Sequence, residues 1–137
     1  MQRYFIHLHN KGYTPKDATI LLEKVRGVAQ DVIARDLRVS KKYIELDTSI
    51  PDSISVDQVA NRLQEIAPVA SVEQIVEKNM SKDEAIKHAI ELFNDEKYWG
   101  AHEALEGVWK ATPKGEERDL INGMILVAAA FVHDLKD

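Results

Sequence analysis

From Ser81 the hydrophobic pattern of this chain settles into one helical period, and that change limits the folds open to it. Before Ser81, apolar residues form strand-like alternations and short helical stripes in turn, broken by turn residues. After it they recur every three to four residues as far as the C-terminus. A pattern of period two cannot bury its apolar side as a helix, and a pattern of period 3.6 cannot do so as a strand. The chain therefore reads as two modules, an α/β module over 1–79 and an all-α module over 80–137, meeting near Lys78-Asn79-Met80. Because the whole chain has 137 residues, each module is close to the lower size limit for independent stability.

Within the first module, Tyr4, Ile6 and Leu8 alternate with Phe5, His7 and His9, which predicts a half-buried strand over 2–10. Thr14-Pro15-Lys16-Asp17 opens a helix, with Thr14 as N-cap and Pro15 at the tolerated first position. Ala18, Leu21, Leu22, Val25 and Ala29 form its buried stripe, and Gly27 weakens its end. Two β-rich runs, 33–39 and 42–49, meet at Ser40-Lys41 as a hairpin. A second helix starts at Ser55, with Gln58 completing a capping box. It buries Val59, Leu63 and Ile66 before Pro68, and Val69 to Val76 forms a last strand. The order β-α-β-β-α-β is that of the ferredoxin-like fold, so the fold class is α+β.

The second module begins with the capping box Ser81-Lys82-Asp83-Glu84, followed by the apolar stripe Ala85, Ile86, Ala89, Ile90 and Phe93. Asn94-Asp95 breaks this helix. A second runs from Tyr98 to Lys110, Thr112-Pro113-Lys114-Gly115 makes a turn, and a third reaches the C-terminus. Met124 to Val132 is apolar on nearly every side, which suits a central helix or one buried at an interface. A homodimer formed through this helix is the expected assembly, because twofold pairing is the commonest way to cover such a stripe.

Composition removes several functions. No cysteine is present, so disulfides, thiolate nucleophiles and cysteine-based zinc sites are excluded, and any metal must be held by His and carboxylate. The net charge is -5, and the second module carries the whole imbalance, with 7 basic and 12 acidic side chains against 11 and 11 before it. Such a surface repels phosphate backbones and disfavours nucleic acid as a partner. No apolar run reaches membrane-spanning length and no signal-peptide core is present, so a cytoplasmic location without a membrane partner is expected. Phe5, His7 and Tyr43 could share a sheet face in the manner of RNA-stacking aromatics. Glu45 and Asp47 on the same face argue against that, and cover by the helical module is the expected explanation. His88 falls on a helix flank with no assigned role, and no phosphate-binding glycine loop or nucleophile elbow is present.

One cluster combines chemical capability with a shared face. His102, Glu106 and Trp109 are spaced four and three apart, with Tyr98 and Trp99 one turn earlier. On the next helix Arg118, Asn122, Leu126, Ala129 and His133 also form one stripe. If the two helices pair antiparallel, Arg118 approaches Trp109 and Glu106 while His133 lies towards His102, which encloses a polar pocket. Three readings stay open. The pocket is a structural network in which Glu106 bridges to Arg118; or His102, Glu106 and His133 hold a divalent iron, manganese or zinc ion; or it takes a small organic ligand, with His102 and Glu106 as acid–base partners.

The stretch Leu92-Phe93-Asn94-Asp95-Glu96-Lys97-Tyr98-Trp99-Gly100-Ala101-His102-Glu103-Ala104-Leu105-Glu106-Gly107-Val108-Trp109 resembles the bacterial and archaeal family called domain of unknown function 309. The hallmark of that family is H-x-x-x-E-x-x-W/Y, a motif suspected of binding metal. The likeness continues through Arg118-Asp119-Leu120-Ile121-Asn122-Gly123 and Ala128-Ala129-Ala130 to His133, roughly the last 55 residues. It implies that His102, Glu106 and Trp109 occupy the functional positions, with Arg118 and His133 at family-like ones. The family tends to carry glutamine where this chain has Asn122 and Leu126. It also usually continues into further helices beyond the His133 region, whereas this sequence stops at Asp137: either it is a piece of a longer chain, or something else covers the flank of its last helix.

Overall fold

In the computed structural model, residues 1–75 and 81–134 are described, without the side chains of residues 133 and 134. They form two compact units. In the first, alternation becomes strand β1 (Gln2–His9), followed by a 3-10 turn (Pro15–Asp17) that runs into α1 (Ala18–Val28). Asp17 closes the start of this helix: its carboxylate accepts the Thr14 N–H at 2.8 Å, and its own N–H donates to the Thr14 carbonyl at 2.9 Å. Strands β2 (Ile33–Val39) and β3 (Tyr43–Ile50) form the hairpin, α2 (Val56–Leu63) follows, and β4 (Val69–Gln74) completes the sheet. The Ser55 hydroxyl accepts the Gln58 N–H at 3.2 Å, as the capping pattern requires. Helix α2 ends at Leu63, earlier than Pro68. The last turns before the proline carry 3-10-like bonds instead, such as Ile66 N–H to the Leu63 carbonyl at 2.9 Å.

The sheet is antiparallel throughout, in the order β2-β3-β1-β4, which is the ferredoxin-like arrangement. Register places Leu37, Leu46 and Ile6 in one row and Val39, Ile44 and Leu8 in the next. These rows form one core with Leu21 and Val25 of α1 and Val59 and Leu63 of α2. The opposite face carries a different row: Arg38, Glu45, His7 and Ser71, one residue from each strand. His7 Nε2 lies 3.4 Å from Glu45 Oε1, and the Ser71 hydroxyl lies 3.4 Å from His7 Nδ1. Next to this row, Arg3 grips Asp47 with two hydrogen bonds of 3.0 and 2.8 Å.

The second unit contains α3 (Lys82–Asn94), α4 (Tyr98–Ala111) and α5 (Glu116–Asp134). The Ser81 hydroxyl accepts the Glu84 N–H at 3.2 Å and caps α3. The α3–α4 connection closes through Lys97 N–H to the Leu92 carbonyl at 2.8 Å, with Glu96 in the left-handed region at φ 61°. The middle helix is α4, which packs against both α3 and α5. Ala89, Leu105, Val108, Ile121, Ile125 and Ala128 form the shared core. Helix α5 is thus a flanking helix and not a central one: among the described residues it buries a single stripe and leaves Leu126 and Val127 more than half exposed. Phe131 lies over both Phe93 and Tyr98, with ring centroids 5.1 and 5.0 Å away.

Candidate functional site

Helix α4 presents the motif one turn at a time. Ala101, Leu105 and Val108 face the core, and His102, Glu106 and Trp109 follow each of them by one residue, on the edge of the buried face. The result is partial exposure: the His102 side chain is 20% and that of Glu106 is 41% exposed. Nε2 of His102 lies 3.9 Å from Oε1 of Glu106, one turn away. The ring of Trp99 stacks on that of His102 at 6.1 Å between centroids and 25° between planes.

Glu103 joins this pair. Its carboxylate, that of Glu106 and the His102 ring offer ligand atoms that all lie within 4.8 Å of one another. The spacing of four alone passes over Glu103, although its position three residues before Glu106 puts both carboxylates on neighbouring turns.

Across the turn, α5 brings Arg118 to the motif, but to its aromatic member. The guanidinium carbon lies 3.9 Å from the centroid of the Trp109 ring, a close cation–π contact. Among the described residues no ion pair joins Arg118 to Glu106. Asn122, on the same stripe as Arg118, is exposed. The side chain of His133 lies outside the described residues, so the fifth position of the expected stripe has no geometry here. Two buried nitrogen atoms, His102 Nδ1 and Arg118 Nε, have no hydrogen-bond partner among the described residues.

The motif helix, the turn and the helix carrying Arg118 all fall within one matched segment. Residues 86–137 match the model of the family described as Domain of unknown function (DUF309). The match begins inside α3, covers the whole of α4 and α5, and leaves the sheet unit outside. No curated protein matches the chain.

An imidazole and two carboxylates within a few ångströms form a mixed nitrogen and oxygen donor set, as zinc, iron and manganese take. Three donors on one helix occupy one side of an ion and leave its other positions to water or a ligand. One feature weighs against a finished site: a metal-bound imidazole usually donates its second N–H to a carbonyl or carboxylate, and Nδ1 of His102 has no such partner among the described residues. No helix among the described residues is long and apolar enough to cross a membrane.

Proposed function

We propose that the helical unit binds a divalent metal ion through His102 and Glu106, with Glu103 as the third donor. The observation that carries this reading is the convergence of two carboxylates and an imidazole within 4.8 Å at half-exposed positions. Carboxylates this close repel when both are ionised, and a cation between them removes that cost. Arg118 makes no ion pair with Glu106 and lies on Trp109, so it leaves that role open. His133 remains a candidate further donor from the sequence, and Asn122 and Trp109 remain candidate pocket residues. The open positions of such an ion would receive a small-molecule ligand, and the cytoplasmic setting expected from the sequence belongs to the same reading.

Elemental analysis of protein purified without chelators or affinity-tag metals tests the proposal. Iron, manganese or zinc at near one per chain is expected, with loss of that metal in His102→Ala and in Glu106→Gln. Protein that carries no stoichiometric metal, and whose melting temperature does not rise on adding manganese or zinc, would sink it.

A second reading, that the helical unit is an interaction module, is favoured by a separate observation. Leu120, Leu126, Val127 and Phe131 of α5 are all exposed. We propose that the chain self-associates through this helix as a homodimer.

A further inference from the structure

We infer that the groove between α3 and α5 receives α5 of a second copy, with the two α5 helices antiparallel. This rests on the self-association reading and names the surface that performs it. Helix α5 carries two apolar stripes of identical spacing, offset by one residue. Ile121, Ile125, Ala128 and Val132 follow one another at four, three and four residues, and all are buried. Leu120, Met124, Val127 and Phe131 repeat that spacing one residue earlier. Spacing of this kind keeps side chains on one seam along a helix and suits packing against another helix. A shift of one residue turns the second seam by about 100° from the first.

The first seam is consumed by α4. The second is only partly filled: Met124 packs on the core and Phe131 on Phe93 and Tyr98, yet Leu120 is 68%, Val127 54% and Phe131 43% exposed. Ile90 of α3, 46% exposed, forms the opposite bank. Between the banks, over Leu105, runs a groove of about 200 Å³.

Area argues for a second copy. A standard dimer interface buries about 800 Å² per copy, roughly two-thirds of it apolar in homodimers. At about 200 Å² for a fully exposed large side chain, Leu120, Val127, Phe131 and Ile90 leave roughly 400 Å² of apolar surface on this face. That is a patch of the size associated with function in monomers, and it supplies most of the apolar area a dimer requires. Charge sets the orientation. Glu116, Glu117 and Asp119 crowd the first turn of α5. Parallel pairing would bring the two acidic turns together, whereas antiparallel pairing separates them by the length of the helix and opposes the two helix dipoles.

Sedimentation velocity on the full chain tests this, with a mass near twice 15.5 kDa expected at micromolar concentration. Val127→Glu, at an exposed position that leaves the fold intact, should weaken the dimer by about 100-fold or more, since each copy then buries a carboxylate in the groove. Leu126→Glu, on the other flank of α5, should change it by less than about threefold. A monomer at all accessible concentrations overturns self-association and this inference together. A dimer that withstands Val127→Glu overturns the seam alone and leaves self-association standing. The chain has no cysteine, so Leu120→Cys reports orientation cleanly. No disulfide-linked dimer is expected on mild oxidation, and rapid cross-linking would overturn the antiparallel order.

Discussion

Both units hold a histidine–glutamate pair, and the two pairs are held in opposite ways. His7 and Glu45 face each other across β1 and β3, with side chains 2% and 5% exposed and 3.4 Å between them. His102 and Glu106 stand on successive turns of one helix, 20% and 41% exposed and 3.9 Å apart. The first pair is set by strand register and withdrawn from water, so its polar contacts are made within the protein. The second is wetted, and losing one partner there only exchanges a weak contact for water. The second pair is thus open to a ligand from solvent, and the first is closed to one.

The largest expected effect follows from that contrast. His7→Leu should destabilise the sheet unit by about 1–3 kcal/mol, because it removes a buried polar group that meets both Glu45 and Ser71, whereas His102→Leu should cost under about 1 kcal/mol. Replacing both His7 and Glu45 by leucine should recover much of the loss. Denaturant melts followed by circular dichroism measure all three, and equal costs at His7 and His102 would break the comparison.

Arg118→Ala should cost about 1 kcal/mol through the lost cation–π contact, while Glu106→Ala should be near neutral. If Glu106→Ala proved the more damaging of the two, the motif would be a structural network after all. Glu96→Gly should raise the stability of the helical unit by about 0.5–1 kcal/mol. Glu96 holds a left-handed conformation that glycine adopts without strain, and the gain is partly offset by the greater entropy of an unfolded glycine.

The smallest effect is electrostatic. The Arg62 guanidinium, hydrogen-bonded to Asp31, holds the Asp31 carboxyl below the usual carboxylate range against the opposing effect of desolvation. With the folded value depressed, this contribution is present above the unfolded value of about 3.9 and is lost as pH falls through the folded one. The stability difference between the wild type and Asp31→Asn should therefore be small near neutral pH and close as the solution is acidified. A difference that widens in acid would contradict the pairing.

What could be read directly from the residues was most of what neighbours close in sequence govern. Alternation at Tyr4 to His9, the Ser55 and Ser81 caps, the break after Asn94 and the turn before Glu116 each express a local preference, and each has its counterpart in the structure. Four-residue spacing put His102 and Glu106 on one face for the same reason, since 3.6 residues make a turn whatever surrounds it. The fold of the first unit followed because a βαββαβ order has few ways to close a sheet.

Tertiary structure alone decided what covers each face. Periodicity marks a stripe as apolar without saying which neighbour meets it, and so α5, which reads as central or buried at an interface in sequence, lies on the flank of α4 with part of its second seam exposed. For the same reason Arg118 met Trp109 and not Glu106, because the approach of two helices fixes which turns oppose each other. The pairing of His7 with Glu45, 38 positions later in the chain, depends on strand register. A slip of one residue would turn Glu45 to the other side of the sheet, and the packing of the whole apolar face against α1 and α2 opposes that slip.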